Sequence, residues 1–277
     1  MISRKVFRAV LAIGGLLVVA MGIFGWRRAH APAPNVDLPP AQAFETTTSS
    51  RGVVPSVGDA SGAKPTSSTA RAVTATSTNA IPRELRLAVP FLSQAPKKDW
   101  SALYEEACEE ASVLMVDAYY RDQNTNFTAE AGDKAIVDLV SFEEEMLGAE
   151  RVSVSAQEMA DVANAYFPAL QASVLPIHSA DDIKKQLTKG IPVIVPADGK
   201  ALENSHFRNG GPIYHMLLIK GYLPDGRWIT NDPGTQFGEN FLYSEENLLS
   251  SIHDWNGGDV ANGAKVMLIL RPKTEKK

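Results

Sequence analysis

Apolar positions along this chain fall into three regimes. Residues 9–26 (AVLAIGGLLVVAMGIFGW) run without a charge, with Arg4, Lys5 and Arg8 before them and Arg27 and Arg28 after. Residues 29–80 are mostly Ala, Pro, Ser, Thr and Gly, with few large apolar side chains. From residue 81 the apolar density rises and stays high to residue 271.

A membrane-spanning helix needs about 20 apolar residues, so the first regime predicts a transmembrane signal anchor over 1–28. Ala29-His30-Ala31 resembles a cleavage site and keeps a secretory signal peptide as the alternative. The length of the apolar run, and Arg27 and Arg28 between it and that site, favour the anchor. Either reading predicts a cell-membrane or secreted protein with everything beyond about residue 30 outside the cytoplasm. The second regime cannot bury enough apolar surface to offset chain entropy. It predicts a disordered Ser/Thr/Ala/Pro linker over 29–80. The third regime, 81–277, is long enough for one well-buried core.

Within that domain the periodicity alternates between helical and extended. LRLAVPFL (85–92) reads as an entering strand, with Pro90 at an edge or bend. A helix follows from Cys108, with Cys108, Ala111, Ser112, Met115 and Tyr119 on one face. A second helix spans about 129–147 and closes at Gly148. Ser155-Ala156-Gln157-Glu158 is a capping box that opens a third, to about Tyr166. A short strand is expected at 172–175 and a helix over 180–189, capped by Ser179 and ended by Gly190. IPVIVPA (191–197) reads as a central strand, and 198–212 as a loop. IYHMLLIKGYL (213–223) and RWITND (227–232), joined by Pro224-Asp225-Gly226, predict a hairpin. A last helix begins at Ser244 and a closing strand covers 264–272. Helices come first and strands mostly last, which predicts α+β with an antiparallel sheet.

The net charge is −5 with a pI near 5.6, which argues against a nucleic-acid surface. The single cysteine forbids an intrachain disulfide, and the five histidines are scattered without zinc-ligand spacing. No cofactor or metal is expected, and the oligomeric state is not legible.

The candidate chemistry centres on Cys108. A thiol nucleophile needs a base, a group that orients the base, and donors for the oxyanion. His215 lies in an apolar strand, and Asp232 ends the next; the hairpin would set them side by side. Cys108 at a helix start would have its thiolate favoured by the helix dipole. Gln94 carries an amide N–H suited to an oxyanion hole. Trp100 and Tyr104 read as core or rim aromatics, with lining of a substrate cleft as the alternative, and the Glu143-Glu144-Glu145 run as a solvated helix face.

VPFLSQ, then a cysteine opening a helix, then YHMLLIKGY, then NDP, resembles the C39-like cysteine peptidases. These are papain-like enzymes related to the domains that clip double-glycine leaders from bacteriocins. The resemblance covers about 86–271. It implies a papain-like fold, with helices packed on an antiparallel sheet. It also implies Gln94 as oxyanion donor, Cys108 as nucleophile, His215 as base and Asp232 as its acid partner. The expected function is a membrane-tethered, extracytoplasmic thiol peptidase or amidase, acting on peptides or cell-wall peptide stems. Glu105, Glu106, Glu109 and Glu110 flank the thiol, where the family usually has Cys-Gly-Pro. Like charge there disfavours a thiolate. That keeps open an inactive domain that binds peptides or wall polymers; a transpeptidase is a further alternative.

Overall fold

All nine residues of strand β5 (Tyr214–Tyr222) are buried, and the domain is built around it. The computed structural model describes residues 36–44, 80–148 and 153–273. The elements before β5 are β1 (Ala41–Gln42), β2 (Leu85–Leu87), α1 (Ala102–Glu105), α2 (Cys108–Tyr120), α3 (Ala129–Leu147), α4 (Ala156–Tyr166), β3 (Leu170–Pro176), α5 (Ala180–Leu187) and β4 (Val193–Asp198). After it come β6 (Trp228–Asn231), β7 (Glu239–Tyr243), α6 (Glu245–Ser251) and β8 (Val266–Pro272). The architecture is mixed α+β on a single sheet.

The sheet order is β1-β2-β5-β4-β8-β3, with β6 also on β5 and β7 on β6. Every pairing is antiparallel except that of β1 with β2. The predicted hairpin forms, with Leu218 opposite Asn231 and Tyr222 opposite Trp228. Lys220 is an extra residue in this ladder, since Ile219 faces Thr230 while Gly221 faces Ile229. Such a bulge re-aims a side chain. Here Lys220 turns inward and donates to the Val89 carbonyl at 3.2 Å.

Helix termini follow the sequence signals. Thr128 Oγ1 accepts from Ala131 N–H, a cap of about 1 kcal/mol. Gly148 ends α3 at φ 98°, a conformation that glycine adopts without strain. Ser155 and Glu158 form the predicted capping box of α4.

Three features differ from expectation. The sequence pattern gives α2 one buried face, yet only Asp117 and Tyr120 escape full burial along it. It packs on β5 and β8 on one side and on α3 on the other, so it is a central helix. Strand β7 was not anticipated: GENFLYS is short and does not alternate, and the strand pairs only with β6. Part of the stretch expected as linker is ordered. β1 pairs with β2, Ala88 N–H donates to the Gln42 carbonyl at 2.8 Å, and Arg86 Nε donates to the Pro39 carbonyl at 2.8 Å. Phe44 meets the rings of Tyr119 and Tyr120 edge-on.

Among the described residues, no helix is long and apolar enough to cross a membrane. The apolar segment 9–26 lies outside the described residues.

Candidate active site

The hairpin brings His215 and Asp232 together. His215 Nε2 lies 2.8 Å from Asp232 Oδ1, and both side chains are buried. Three donors complete the cradle of the carboxylate. Gly234 N–H reaches Oδ1 at 3.0 Å, while Asn204 Nδ2 and the Tyr243 hydroxyl reach Oδ2 at 2.9 Å and 2.6 Å. Burial alone would push the Asp232 carboxyl up. The neighbouring His215, its hydrogen bond and those of Tyr243 and Gly234 outweigh burial and hold it below its ordinary value. A carboxylate fixed in this way anchors one imidazole nitrogen and leaves Nδ1 for proton exchange. Gly234 packs on the ring itself, since a Cβ there would lie 2.8 Å from His215 Cε1. Phe207 meets the ring edge-on, with centroids 5.2 Å apart.

Cys108 is the first residue of α2 and is buried. The β5–β6 ladder stops at Leu218, and Met216, beside His215, bonds to α2 instead. Its N–H donates to Cys108 Sγ at 3.3 Å, and its carbonyl accepts from Ser112 Oγ at 3.5 Å. The thiol in turn donates to Glu109 Oε2 at 2.8 Å. Among the described residues no hydrogen bond joins Cys108 Sγ to His215. Burial pushes the thiol well up from its ordinary value, and the Glu109 carboxylate pushes the same way as both charge and acceptor; the Met216 N–H opposes them. The thiol is therefore protonated in this state, and the expected dipole-favoured thiolate does not form.

Gln94 is carried next to the His215–Asp232 pair by stitched loops. Its N–H donates to the Pro233 carbonyl at 3.0 Å, and Gln236 Nε2 holds Ser93 Oγ and the Ala95 carbonyl at 2.9 Å and 2.6 Å. Asn231 Nδ2 pins the Val89 and Pro90 carbonyls just upstream. The Gln94 amide does not point its hydrogens at open space. Nε2 donates to the Tyr104 and Glu105 carbonyls of α1, at 2.8 Å and 2.9 Å, and Oε1 is buried without a partner.

A cleft of about 420 Å³ opens over these groups. Its lining includes Gln94, Trp100, Glu105, Phe207, His215 and Trp255. Cys108 is not among the lining residues, so the thiol lies behind the cleft wall rather than in it.

Residues 86–255 match the sequence profile of the Peptidase C39 like family. The chain belongs to that family. The C39-like domain also resembles a crystal structure of a candidate C39-like peptidase from Bacillus anthracis. The two are 15% identical, with a TM-score of 0.45 over 69% of this chain and 99% of that one. Comparison with curated protein sequences gives no match.

Of the four residues singled out in the sequence, the C39-like domain joins His215 to Asp232 directly. It sets Cys108 against the residue next to His215, and Gln94 in the cleft with its amide engaged elsewhere. Trp100, read as a core or rim aromatic with cleft lining as the alternative, lines the cleft. Glu143, expected on a solvated face, turns inward and hydrogen-bonds Glu110. Two contributors escaped the sequence reading, Asn204 and Tyr243, which cradle Asp232; Glu109, named there for its charge beside the thiol, accepts the thiol's hydrogen bond. Asn204 lies in a polar loop and Tyr243 in the unanticipated β7, so neither carried a signal. Among the described residues, no group of three or more His, Cys, Asp or Glu side chains is arranged to hold a metal ion.

Proposed function

We propose that the domain is a thiol peptidase or amidase in which Cys108 is the nucleophile, His215 the proton carrier and Asp232 its orienting partner. The observation that carries this reading is the buried His215–Asp232 pair at 2.8 Å, facing a cleft, with Cys108 bonded to the adjacent residue of the same strand. His215 Nδ1 takes the Cys108 proton, and the thiolate attacks the peptide carbonyl carbon. The Cys108 N–H, at a helix start with no intrahelical acceptor, faces the developing oxyanion. The protonated His215 gives its proton to the leaving amine, and a thioester remains. Water, deprotonated by His215, attacks the thioester and releases the acid and the free thiol. Reaching this state requires α1 to shift. Glu105 and Glu106 wall the cleft beside the thiol, and the same movement frees Gln94 Nε2 to act as the second oxyanion donor. Catalytic contacts are commonly looser before substrate binds.

The apolar segment 9–26 and its arginine flanks support a membrane-tethered enzyme with its domain outside the cytoplasm, acting on peptides or cell-wall peptide stems. A thiol-directed activity probe should label the full-length protein and lose all labelling in Cys108→Ala. Folded protein that neither labels nor turns over a peptide library would overturn the reading. The hydrogen bond from the thiol to Glu109 favours a second reading, a peptide-binding domain without turnover. That reading requires peptide affinity and cellular phenotype to be unchanged in Cys108→Ala. A transpeptidase is separated from both by product analysis with a competing amine.

A further inference from the structure

One loop, residues 232–238, serves both halves of the site. At its start Asp232 holds His215, and the Gly234 N–H holds the same carboxylate. The next bonds run to the other half. The Pro233 carbonyl accepts from the Gln94 N–H at 3.0 Å and from Ser93 Oγ at 3.4 Å. Gln236 Nε2 donates to Ser93 Oγ at 2.9 Å and to the Ala95 carbonyl at 2.6 Å. The loop closes on itself where the Asp232 N–H donates to the Gly238 carbonyl at 3.0 Å.

The Gln236 contacts are selective. A side-chain amide nitrogen carries two hydrogens. Gln236 commits both to the immediate neighbours of Gln94, one on each side. Ser93, Gln94 and Ala95 are all buried, so these bonds are shielded from water. The Gln94 side chain is bonded elsewhere, to the Tyr104 and Glu105 carbonyls of α1. The main chain at Gln94 therefore belongs to the 232–238 loop, and α1 holds only its amide group.

We infer that Gln236 is a positioning residue for Gln94. It clamps the main chain on both sides of Gln94, so that when α1 shifts the freed amide swings on a stationary backbone into the oxyanion site. This rests on the peptidase reading above and adds a residue to its machinery. The clamp has a second effect. Asp232 sits on the same loop, so the oxyanion donor and the proton carrier are kept in register by one short segment. Preorganised donors of this kind cost no reorganisation at the moment of reaction.

Two measurements on the full-length protein test this. The first is hydrogen exchange resolved to single amides. Gln236→Leu keeps side-chain bulk without the N–H groups. In it the Gln94 amide should exchange about tenfold faster, while the amides of the β3–β8 ladder keep their rates. The second is turnover of a fluorogenic peptide chosen from a library because the wild type cleaves it. Gln236→Leu should lower kcat about tenfold with KM unchanged, less than the loss of about 10²–10³-fold when an oxyanion donor is removed outright. In a Gln94→Ala background the same change should cost less than about twofold, because the residue it acts through is gone. Ser93→Ala removes one partner of the clamp and should move both readouts the same way, so the outcome does not hang on Gln236→Leu folding. An unchanged Gln94 exchange rate, an equal acceleration of the ladder amides, or an equal loss of kcat with and without Gln94 would each overturn the positioning role. Faster exchange in Gln236→Leu, when the wild type cleaves no library peptide, would sink the peptidase reading and leave the clamp. Peptide turnover indifferent to Gln236 would do the reverse.

Discussion

The Cys108 thiol donates its hydrogen bond to Glu109, at 2.8 Å, and not to His215, although His215 is adjacent in sequence to the residue whose N–H supports the sulfur. The resting nucleophile is therefore held as a thiol by a carboxyl group of its own helix. Glu109 is itself pushed up to about 8 by burial, with the thiol bond and its own backbone N–H opposing and Glu143 and Glu106 adding to it. The two groups share one proton-rich environment.

Removing that carboxylate should free the thiol. In Glu109→Gln the charge that raises the Cys108 pKa is gone, so the midpoint for alkylation should move to lower pH. Each unit of that shift gives about tenfold faster alkylation below the midpoint. Rates of iodoacetamide modification across a pH series check this. An unchanged midpoint would show that burial alone holds the proton.

The His215–Asp232 pair should be sensitive to charge more than to shape. Asp232→Asn keeps the side-chain size but removes the charge that orients and supports the imidazole. Peptide turnover should fall by about 10²–10⁴-fold, the usual span for general acid–base assistance. Tyr243→Phe should act mainly on stability, because it strips one of two donors from a buried carboxylate oxygen. Urea denaturation should register a loss of about 1–3 kcal/mol.

Gly234 should tolerate no side chain. An alanine Cβ would sit 2.8 Å from His215 Cε1 and 2.9 Å from the Phe207 ring, so the imidazole must move. Gly234→Ala should fold, because the residue lies in a turn, yet lose most turnover. Comparing kcat with KM should place the loss in kcat, since the displaced group handles protons.

Stability should fall as pH rises through the neutral range. Glu109 and Glu110 are both raised by burial above the ordinary 4.5, Glu109 to about 8. Between those values the folded protein holds protons that the unfolded chain has released, so raising the pH favours unfolding. Asp232 has the opposite sign, but its contribution is lost only as pH falls below its ordinary 3.8. Melting temperatures measured from mildly acidic to mildly alkaline pH should therefore decline. The double change Glu109→Gln, Glu110→Gln should flatten the slope.

Much of the fold was readable from local pattern. The capping box at Ser155, the helix stop at Gly148 and the Pro224-Asp225-Gly226 turn of the β5–β6 hairpin are signals carried by neighbouring residues. So is the pairing of His215 with Asp232, because a hairpin fixes which of its residues end side by side. The misses share a cause. β7 gains its identity from pairing with β6, and β1 from a place on the edge of β2 more than forty residues away. The Glu143-Glu144-Glu145 run reads as a solvated face, yet Glu143 is turned inward, and Glu109 and Glu110 are buried, because α2 is enclosed by the sheet and by α3.

The sequence by itself thus determined the family, the order of the elements apart from β1, α1 and β7, the lone thiol and the histidine–aspartate partnership. The family rests on the ordered VPFLSQ, cysteine, YHMLLIKGY and NDP motifs, and the rest on local periodicity and turn chemistry. Only the tertiary structure decided where the thiol proton rests, which carbonyls engage Gln94, and that Glu109 and Glu110 are buried beside the nucleophile. Those properties depend on burial and on contacts between distant segments. Both arise only when the helices close on the sheet.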